Sequence, residues 1–301
     1  MATMKSKIIL LFLAILILIS CKKTTHESVH QNHIITGNLL PYYNGVSTIK
    51  IQSYINKVYV DLLGREANSI ELHNATMILI NSNLSDGSRD TMVANLINTK
   101  DFYVQLFLKT SGNMLNSTGK QDVLDQINFY NYLYQFNLQN HDTVSANGLL
   151  VENDKLIKLS TADSLLKINA IDINEFYRRF IFNYFYDEIN MGAENYVKAS
   201  FENLYYRLPT TAELTQSEAM INGLTNGTLF LQSGSSKGDF AYIATHCNAF
   251  YEGLITTAYA NYLLRKPTDI ELNTNLTTLS ASKNYTALIK SILKSKEYAG
   301  F

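Results

Sequence analysis

The sequence is poor in the residues that define several large classes of protein. Its 301 residues include no tryptophan, three prolines and two cysteines, and charged residues make up 17% of the chain. Two cysteines cannot form a dense disulfide scaffold, so packing must stabilise the fold. A formal net charge of −1 disfavours nucleic acid as a partner, because phosphate binding needs a basic surface.

The chain also lacks the short motifs of common catalytic and cofactor sites. It contains no Gly-x-Ser-x-Gly, no His-Glu-x-x-His and no Cys-x-x-Cys-His, the patterns of a hydrolase nucleophile, a zinc protease and covalent haem. His26, His30 and His33 have helical spacing, but no acid or cysteine is spaced to complete a metal site. We therefore expect a non-catalytic protein with no metal and no cofactor.

The first residues predict export. Lys5 and Lys7 precede twelve consecutive apolar residues, Ile8 to Ile19, a run shorter than the roughly 20 residues that span a bilayer. It fits the apolar region of a signal peptide. The junction Leu-Ile-Ser-Cys21 resembles the lipobox of bacterial lipoproteins. This resemblance implies that residues 1–20 are a signal peptide and that acylated Cys21 anchors the mature protein in a membrane.

Residues 21–48 are polar and lack periodicity, which predicts a lipidated tether. No Asp follows Cys21, and Glu27 is the only acid close to it in the sequence. By resemblance to other lipoproteins, these features favour the outer membrane, and its periplasmic face over the cell surface. An ordinary secretory signal with a chance cysteine and an uncleaved anchor are the alternatives.

One pattern occurs three times in the rest of the chain, in blocks that begin at Tyr59, Phe201 and Tyr259 and align without gaps. Each block has an aromatic residue, an arginine six residues on, a cap-type residue three further, and then Glu-Leu. The recurring charged pairs are Arg65 and Glu71, Arg207 and Glu213, and Arg265 and Glu271.

The spacing within each block predicts a helix, a short turn and a second helix. Pro209 and Pro267 cannot continue a helix, so the first helix must end before them. Asn68, Thr210 and Thr268 are suitable N-caps, and each has a glutamate three residues later, which is the spacing of a capping box.

A third helix is predicted to close the first and last copies, because the segment ending in Lys-Asp101-Phe parallels the one ending in Lys-Glu297-Tyr. We expect Arg65 to pair with Asp101 and Arg265 with Glu297. The second copy lacks an acid in this column, so Arg207 should pair elsewhere or face solvent.

These blocks resemble a short helical repeat of bacterial exported and surface proteins, itself similar to the phycobilisome linker domain. They also resemble helical regions beside cytochrome-type domains in large planctomycete and Bacteroidetes proteins. The resemblance covers about residues 50–108 and 196–301. It implies a mainly helical fold, and it transfers no catalytic residue, because its columns are caps, turns and core aromatics.

The segment between the first two copies is rich in aromatic residues. Residues 121–138 and 173–190 have the pattern of helices, and residues 112–119 that of a loop. Phe176, Phe180 and Tyr184 are spaced to share one buried helix face, although aromatic helices of this kind could instead present rings to a sugar. Apolar runs on both sides of Asn153-Asp154 indicate a small β-hairpin at 149–159.

The sequence therefore predicts a mainly α-helical protein with three related three-helix repeats, at 49–111, 196–254 and 255–301, and a helical insert at 112–195. We expect Cys247 to be a buried structural residue. A Gly/Ser-rich insertion in the second copy, with Gly234, Lys237 and Asp239, is predicted to be a flexible loop and the candidate partner contact.

The leading functional hypothesis is a membrane-anchored scaffold or interaction protein that binds another envelope protein. The alternative is a glycan-binding lipoprotein that works beside an outer-membrane transporter. Exposed tyrosine clusters near residues 130 or 184 would favour this alternative, and full burial of those rings would remove it.

Overall fold

The computed structural model describes residues 45–223 and 225–301, which form sixteen helices and one two-stranded sheet. The first copy contains α1 (Thr48–Leu63), α2 (Ser69–Asn81), α3 (Asp86–Ile97) and α4 (Lys100–Met114). The insert contains α5 (Lys120–Gln139), α6 (Thr143–Ser160), α7 (Ala162–Lys167), α8 (Ile173–Ile181) and α9 (Tyr184–Ile189). The prediction of a mainly α-helical protein is confirmed.

The second copy contains α10 (Ala193–Tyr205), α11 (Thr211–Asn222), β1 (Gly227–Leu229), β2 (Gln232–Gly234) and α12 (Lys237–Thr245). The last copy contains α13 (Asn248–Leu263), α14 (Asp269–Ser282), α15 (Tyr285–Leu293) and α16 (Lys296–Ala299). Residue 254 lies inside α13, so one continuous helix ends the second copy and begins the third.

The first helix of each copy ends in left-handed backbone. The C-cap residues are Gly64 (φ 70°), Tyr206 (φ 57°) and Leu264 (φ 56°). Only glycine adopts this conformation without steric cost, which is about 1–2 kcal/mol for a residue with a Cβ atom. The second and third copies therefore keep the turn of the first copy with a less favourable residue.

The second helix of each copy begins at a complete capping box, as the sequence predicts. Asn68, Thr210 and Thr268 accept the backbone N–H of the glutamate three residues later, and that glutamate accepts the backbone N–H of the cap. Each box satisfies two of the N–H groups that a helix start leaves without partners.

The third helices of the first and last copies pack against each other. Lys294 lies 3.0 Å from Asp86, and Lys290 lies 3.2 Å from Asp90. Arg89, which is 3% exposed, donates to the carbonyl oxygens of Leu84 and Lys294, both at 2.6 Å. The first and last copies are thus held together by polar contacts that are partly buried or exposed.

The predicted hairpin at 149–159 is wrong, because these residues lie inside α6. Ala146, Asn153, Leu156 and Leu159 are buried along that helix, with gaps of three and seven residues that fit a helix and not an alternating strand. The observed hairpin lies in the second copy, where β1 pairs antiparallel with β2. The predicted loop at 112–119 also starts later, because α4 continues to Met114.

The aromatic helices of the insert supply much of the core. Phe176 and Phe180 are fully buried, as the spacing predicts, and the Phe180 ring packs 5.0 Å from that of Phe107 in the first copy. Tyr184 is half-buried. The predicted helix at 173–190 is interrupted at Asn183, whose side chain caps α9 by accepting from the N–H of Phe185 and Tyr186.

Candidate functional site

The recurring arginines and glutamates form three closed ion pairs. Arg65 binds both carboxylate oxygens of Glu71, at 2.7 and 2.8 Å. The same bidentate geometry, at 2.7–2.8 Å, joins Arg207 to Glu213 and Arg265 to Glu271. Each arginine also lies 5.1–5.6 Å from the first aromatic ring of its own copy.

These ion pairs use the arginine and glutamate positions that recur in the sequence of all three copies. The hydrogen bonds from Arg65, Arg207 and Arg265 lower the pKa of Glu71, Glu213 and Glu271 to about 2. The same glutamates accept the backbone N–H of the helix caps, at 2.7–2.9 Å. Carboxylates that are saturated by an arginine and a backbone N–H fix the turn and are not available to a ligand.

The predicted third helix is interrupted before its acid in both copies, so that Asp101 lies in α4 and Glu297 in α16. The predicted pairing of that acid is right for the last copy and wrong for the first. Glu297 accepts from Arg265 at 2.6 and 2.8 Å, so this arginine binds two carboxylates. Arg65 binds Glu71 and makes no ion pair with Asp101 within the described part of the chain. The aspartate is one methylene shorter than the glutamate in the equivalent column.

The candidate partner loop forms a hairpin and the start of α12, and not the irregular loop that was predicted. Gly234 ends β2, where a Cβ atom would lie only 2.5 Å from that of Asp239. The Asp239 carboxylate accepts the backbone N–H of Ser235 at 2.9 Å. Lys237 lies 3.0 Å from Asp187 and 4.7 Å from the centre of the Tyr196 ring. The polar groups of this loop therefore hold it against the body of the protein.

The hairpin tip is nevertheless strained. Phe230 and Leu231 both have left-handed backbone, with φ values of 49° and 63°, at positions where a two-residue turn favours Asn-Gly. The Phe230 ring packs 5.6 Å from that of Tyr205, whereas Leu231 is 98% exposed.

His246 and Cys247 are neighbours but face different partners. Cys247 is free and buried, its sulfur lies 3.5 Å from the Tyr205 hydroxyl, and burial raises its thiol pKa. The His246 ring stacks on Tyr242, with ring centres 3.9 Å apart. A buried thiol with a raised pKa is a poor nucleophile, so the expected structural role fits this geometry.

The helical hairpin of α5 and α6, which we call the arm, is packed differently from the repeats. Its two helices run antiparallel, and Asn153 in α6 donates to Asn131 in α5 at 2.7 Å. On α5 only Val123 and Ile127 are buried, and both lie near its start. The rest of α5 therefore contributes little to the core.

One face of the arm carries three exposed aromatic rings. Phe129, Tyr132 and Phe136 are 51, 66 and 51% exposed, and their spacing of three and four residues places them on one side of α5. We call this set the aromatic stripe. The sequence shows the rings, but it cannot show that they face away from α6, because that depends on which side of α5 packs in the hairpin.

Residues predicted in the N-terminal segment, including Cys21 and the three histidines, lie outside the described residues. In the described ranges, no helix has the length and apolar character needed to cross a membrane. Nor do those ranges contain a group of three or more His, Cys, Asp and Glu side chains suited to a metal ion.

Comparison of the chain with family models, with curated proteins and with solved structures found no match.

Proposed function

We propose that this protein is a non-catalytic interaction protein of the bacterial envelope, which binds a partner protein through the aromatic stripe of the arm. The observation that carries the proposal is the exposure of Phe129, Tyr132 and Phe136 on one helix face. Large apolar side chains grouped on a surface mark interaction sites, and aromatic residues are enriched in protein interfaces.

The geometry of α5 suits a helix that docks against another protein. Residues spaced as i, i+3 and i+7 form a continuous row along a helix, which is how helical segments fill an apolar groove. Aromatic rings bury a large area with few rotatable bonds, so they lose little conformational entropy on binding. The stripe is therefore better suited to a partner groove than to solvent.

The membrane anchor is a separate part of the proposal and rests on the sequence alone. Acylation of Cys21, with a tether predicted to run to residue 48, where α1 begins, would hold the arm near the membrane. Tethering raises the effective concentration of a partner in the same membrane. Replacing Cys21 with Ala should move the protein to the soluble fraction and abolish incorporation of labelled fatty acid. Retention of both properties would refute the anchor.

The stripe is tested with a variant that removes all three rings, Phe129→Ser, Tyr132→Ser and Phe136→Ser. Chemical crosslinking in native membranes, followed by mass spectrometry, should give a discrete partner with the unaltered protein and lose it with the variant. The matched control is Ile70→Ser with Ile270→Ser, because these repeat residues are 71 and 80% exposed. Loss of the crosslink in the control, or its persistence in the stripe variant, would contradict the proposal.

A further inference from the structure

A cleft on the body of the protein is formed where the three copies and the insert meet. It consists of two adjoining cavities of about 350 and 470 Å³, which is within the size range of small-ligand sites. Both cavities are lined by Thr110, Asn113, Tyr177, Thr257 and Asn261. These residues lie on α4, α8 and α13, so the cleft depends on the whole fold and not on one repeat.

The polar groups that both cavities share are uncharged. Asn113 and Asn261 are exposed, so each amide can offer a donor and an acceptor to a ligand. The Thr110 and Thr257 hydroxyls donate to helix carbonyls, at 2.8 and 2.7 Å, and keep lone pairs that can accept.

The charged groups at one end of the cleft are already engaged. Lys109 donates to the backbone carbonyl of Asp61 at 2.6 Å, and the Asp61 carboxylate accepts from the Tyr298 hydroxyl, also at 2.6 Å. Glu202 lines the other end and is exposed. Among the described residues, Glu202 has no ion pair and Lys109 is occupied, so the cleft is not built to neutralise an anion.

Tyrosine rings line both cavities. Tyr177 and Tyr206 contribute to the smaller one, and Tyr177, Tyr262 and Tyr285 to the larger one. Tyr206 is 56% exposed, and its left-handed backbone projects the ring at the position where the first copy has Gly64. Tyrosine offers an apolar face and a polar edge to the same ligand.

We propose that this cleft binds a neutral saccharide. Sugar rings have apolar C–H faces that can lie against tyrosine rings, and their neighbouring hydroxyls both donate and accept, which matches the exposed amides of Asn113 and Asn261. An uncharged peptide is the competing ligand, since its backbone also pairs with amides. The site is independent of the aromatic stripe, so either proposal can fail without the other.

The test uses the full chain in a detergent that is not a glycoside, with a panel of neutral oligosaccharides and a library of uncharged peptides. Binding is measured by isothermal titration calorimetry and by saturation-transfer NMR. The first variant is Tyr206→Gly, which removes the ring and relieves the left-handed backbone. The second is Asn113→Ala with Asn261→Ala.

Tyr206→Gly should weaken saccharide binding at least tenfold while its melting temperature stays level or rises. Weaker binding with an unchanged or higher melting temperature would show that a ligand contact is lost while the fold is kept. Leu264→Gly is the matched control, because Leu264 occupies the same cap position in the third copy and does not line the cleft. It should gain stability and bind as the unaltered protein does. The two Asn substitutions should also reduce affinity at least tenfold.

Several results would overturn the proposal. Unchanged saccharide affinity in both variants would place binding elsewhere. Binding of peptides alone would make the ligand class wrong, and binding by no member of the panel would remove the site. A tenfold loss in Leu264→Gly would show that the effect comes from the turn and not from the ring.

Discussion

The repeat turns and the arm differ in whether their surface side chains have partners. At each turn, an exposed or partly exposed arginine is bound by both oxygens of a glutamate that also caps the next helix. On the arm, three large rings are 51–66% exposed within the described part of the chain. The turns use their surface groups to stabilise the fold, whereas the stripe contributes little to it. This contrast is why we assign recognition to the arm and structure to the repeated columns.

The largest difference should appear between the body of the protein, at Gly253 in α13, and the arm, at Gly148 in α6, when the same substitution is made in each. A Cβ atom at Gly253 would lie 1.9 Å from the Leu204 carbonyl oxygen, whereas one at Gly148 on the arm would meet nothing within 4 Å. We expect Gly253→Ala to destabilise the protein by at least about 3 kcal/mol, because two helix backbones must separate.

Gly148→Ala should stabilise it by about 1 kcal/mol through helix propensity. Urea denaturation of both variants measures the difference. Equal effects would show that the arm is packed as tightly as the body.

The ion pairs of the turns should make the free energy of unfolding depend on pH in the acidic range. The pKa values of Glu71, Glu213 and Glu271 are lowered from 4.5 to about 2 in the folded protein. Their contribution is therefore complete above about pH 4.5 and is lost as the pH falls towards 2. Replacing Arg65, Arg207 and Arg265 with Met should flatten this dependence and cost about 1 kcal/mol or less per pair at neutral pH, because the pairs are partly exposed.

Urea denaturation between pH 6 and 2 provides the measurement, and the arm supplies the control. Lys158→Met removes the exposed pair with Asp154 on α6, which lies outside the turns. That substitution should leave the acid dependence unchanged. An acid dependence that survives loss of all three arginines would assign it to other carboxylates.

Relief of the strained caps should have a smaller, stabilising effect. Leu264 is 86% exposed and has left-handed backbone, so Leu264→Gly removes a steric cost without emptying the core. We expect a gain of about 1 kcal/mol, measured by thermal and urea unfolding. Gly64→Ala is the reciprocal change in the first copy and should lose a similar amount. Destabilisation by Leu264→Gly would mean that its side chain packs in the turn.

The smallest effect on stability should come from the aromatic stripe. Removal of the rings of Phe129, Tyr132 and Phe136 should change the free energy of unfolding by no more than about 0.5 kcal/mol for each residue, because each side chain is at least half exposed and surface positions are tolerant. Circular dichroism during urea unfolding measures it. A loss of several kcal/mol would show that the rings stabilise the hairpin itself.

The sequence predicts local features well where one short segment determines them. The capping boxes at Asn68, Thr210 and Thr268 depend only on neighbouring residues. The hairpin predicted at 149–159 is wrong. Asn153-Asp154 resembles a turn in the local sequence, but the burial of Ala146, Leu156 and Leu159 along one face shows a helix.

Features that depend on distant segments leave no local signal. The cleft combines residues from the ends of the described chain, such as Asp61 and Tyr285, with Tyr177 from the insert. The outward direction of the aromatic stripe depends on how α5 packs against α6. Whether Arg65 also reaches Asp101 depends on a contact between helices that the local sequence does not specify.

The central claim is that the arm, and not the repeat turns, contacts the partner. A photoreactive amino acid placed at Tyr132 or at Ile270 tests it in native membranes, because both side chains are exposed, at 66 and 80%. We predict a discrete crosslinked product from position 132 and none from position 270. A product from position 270 with none from position 132 would contradict the account.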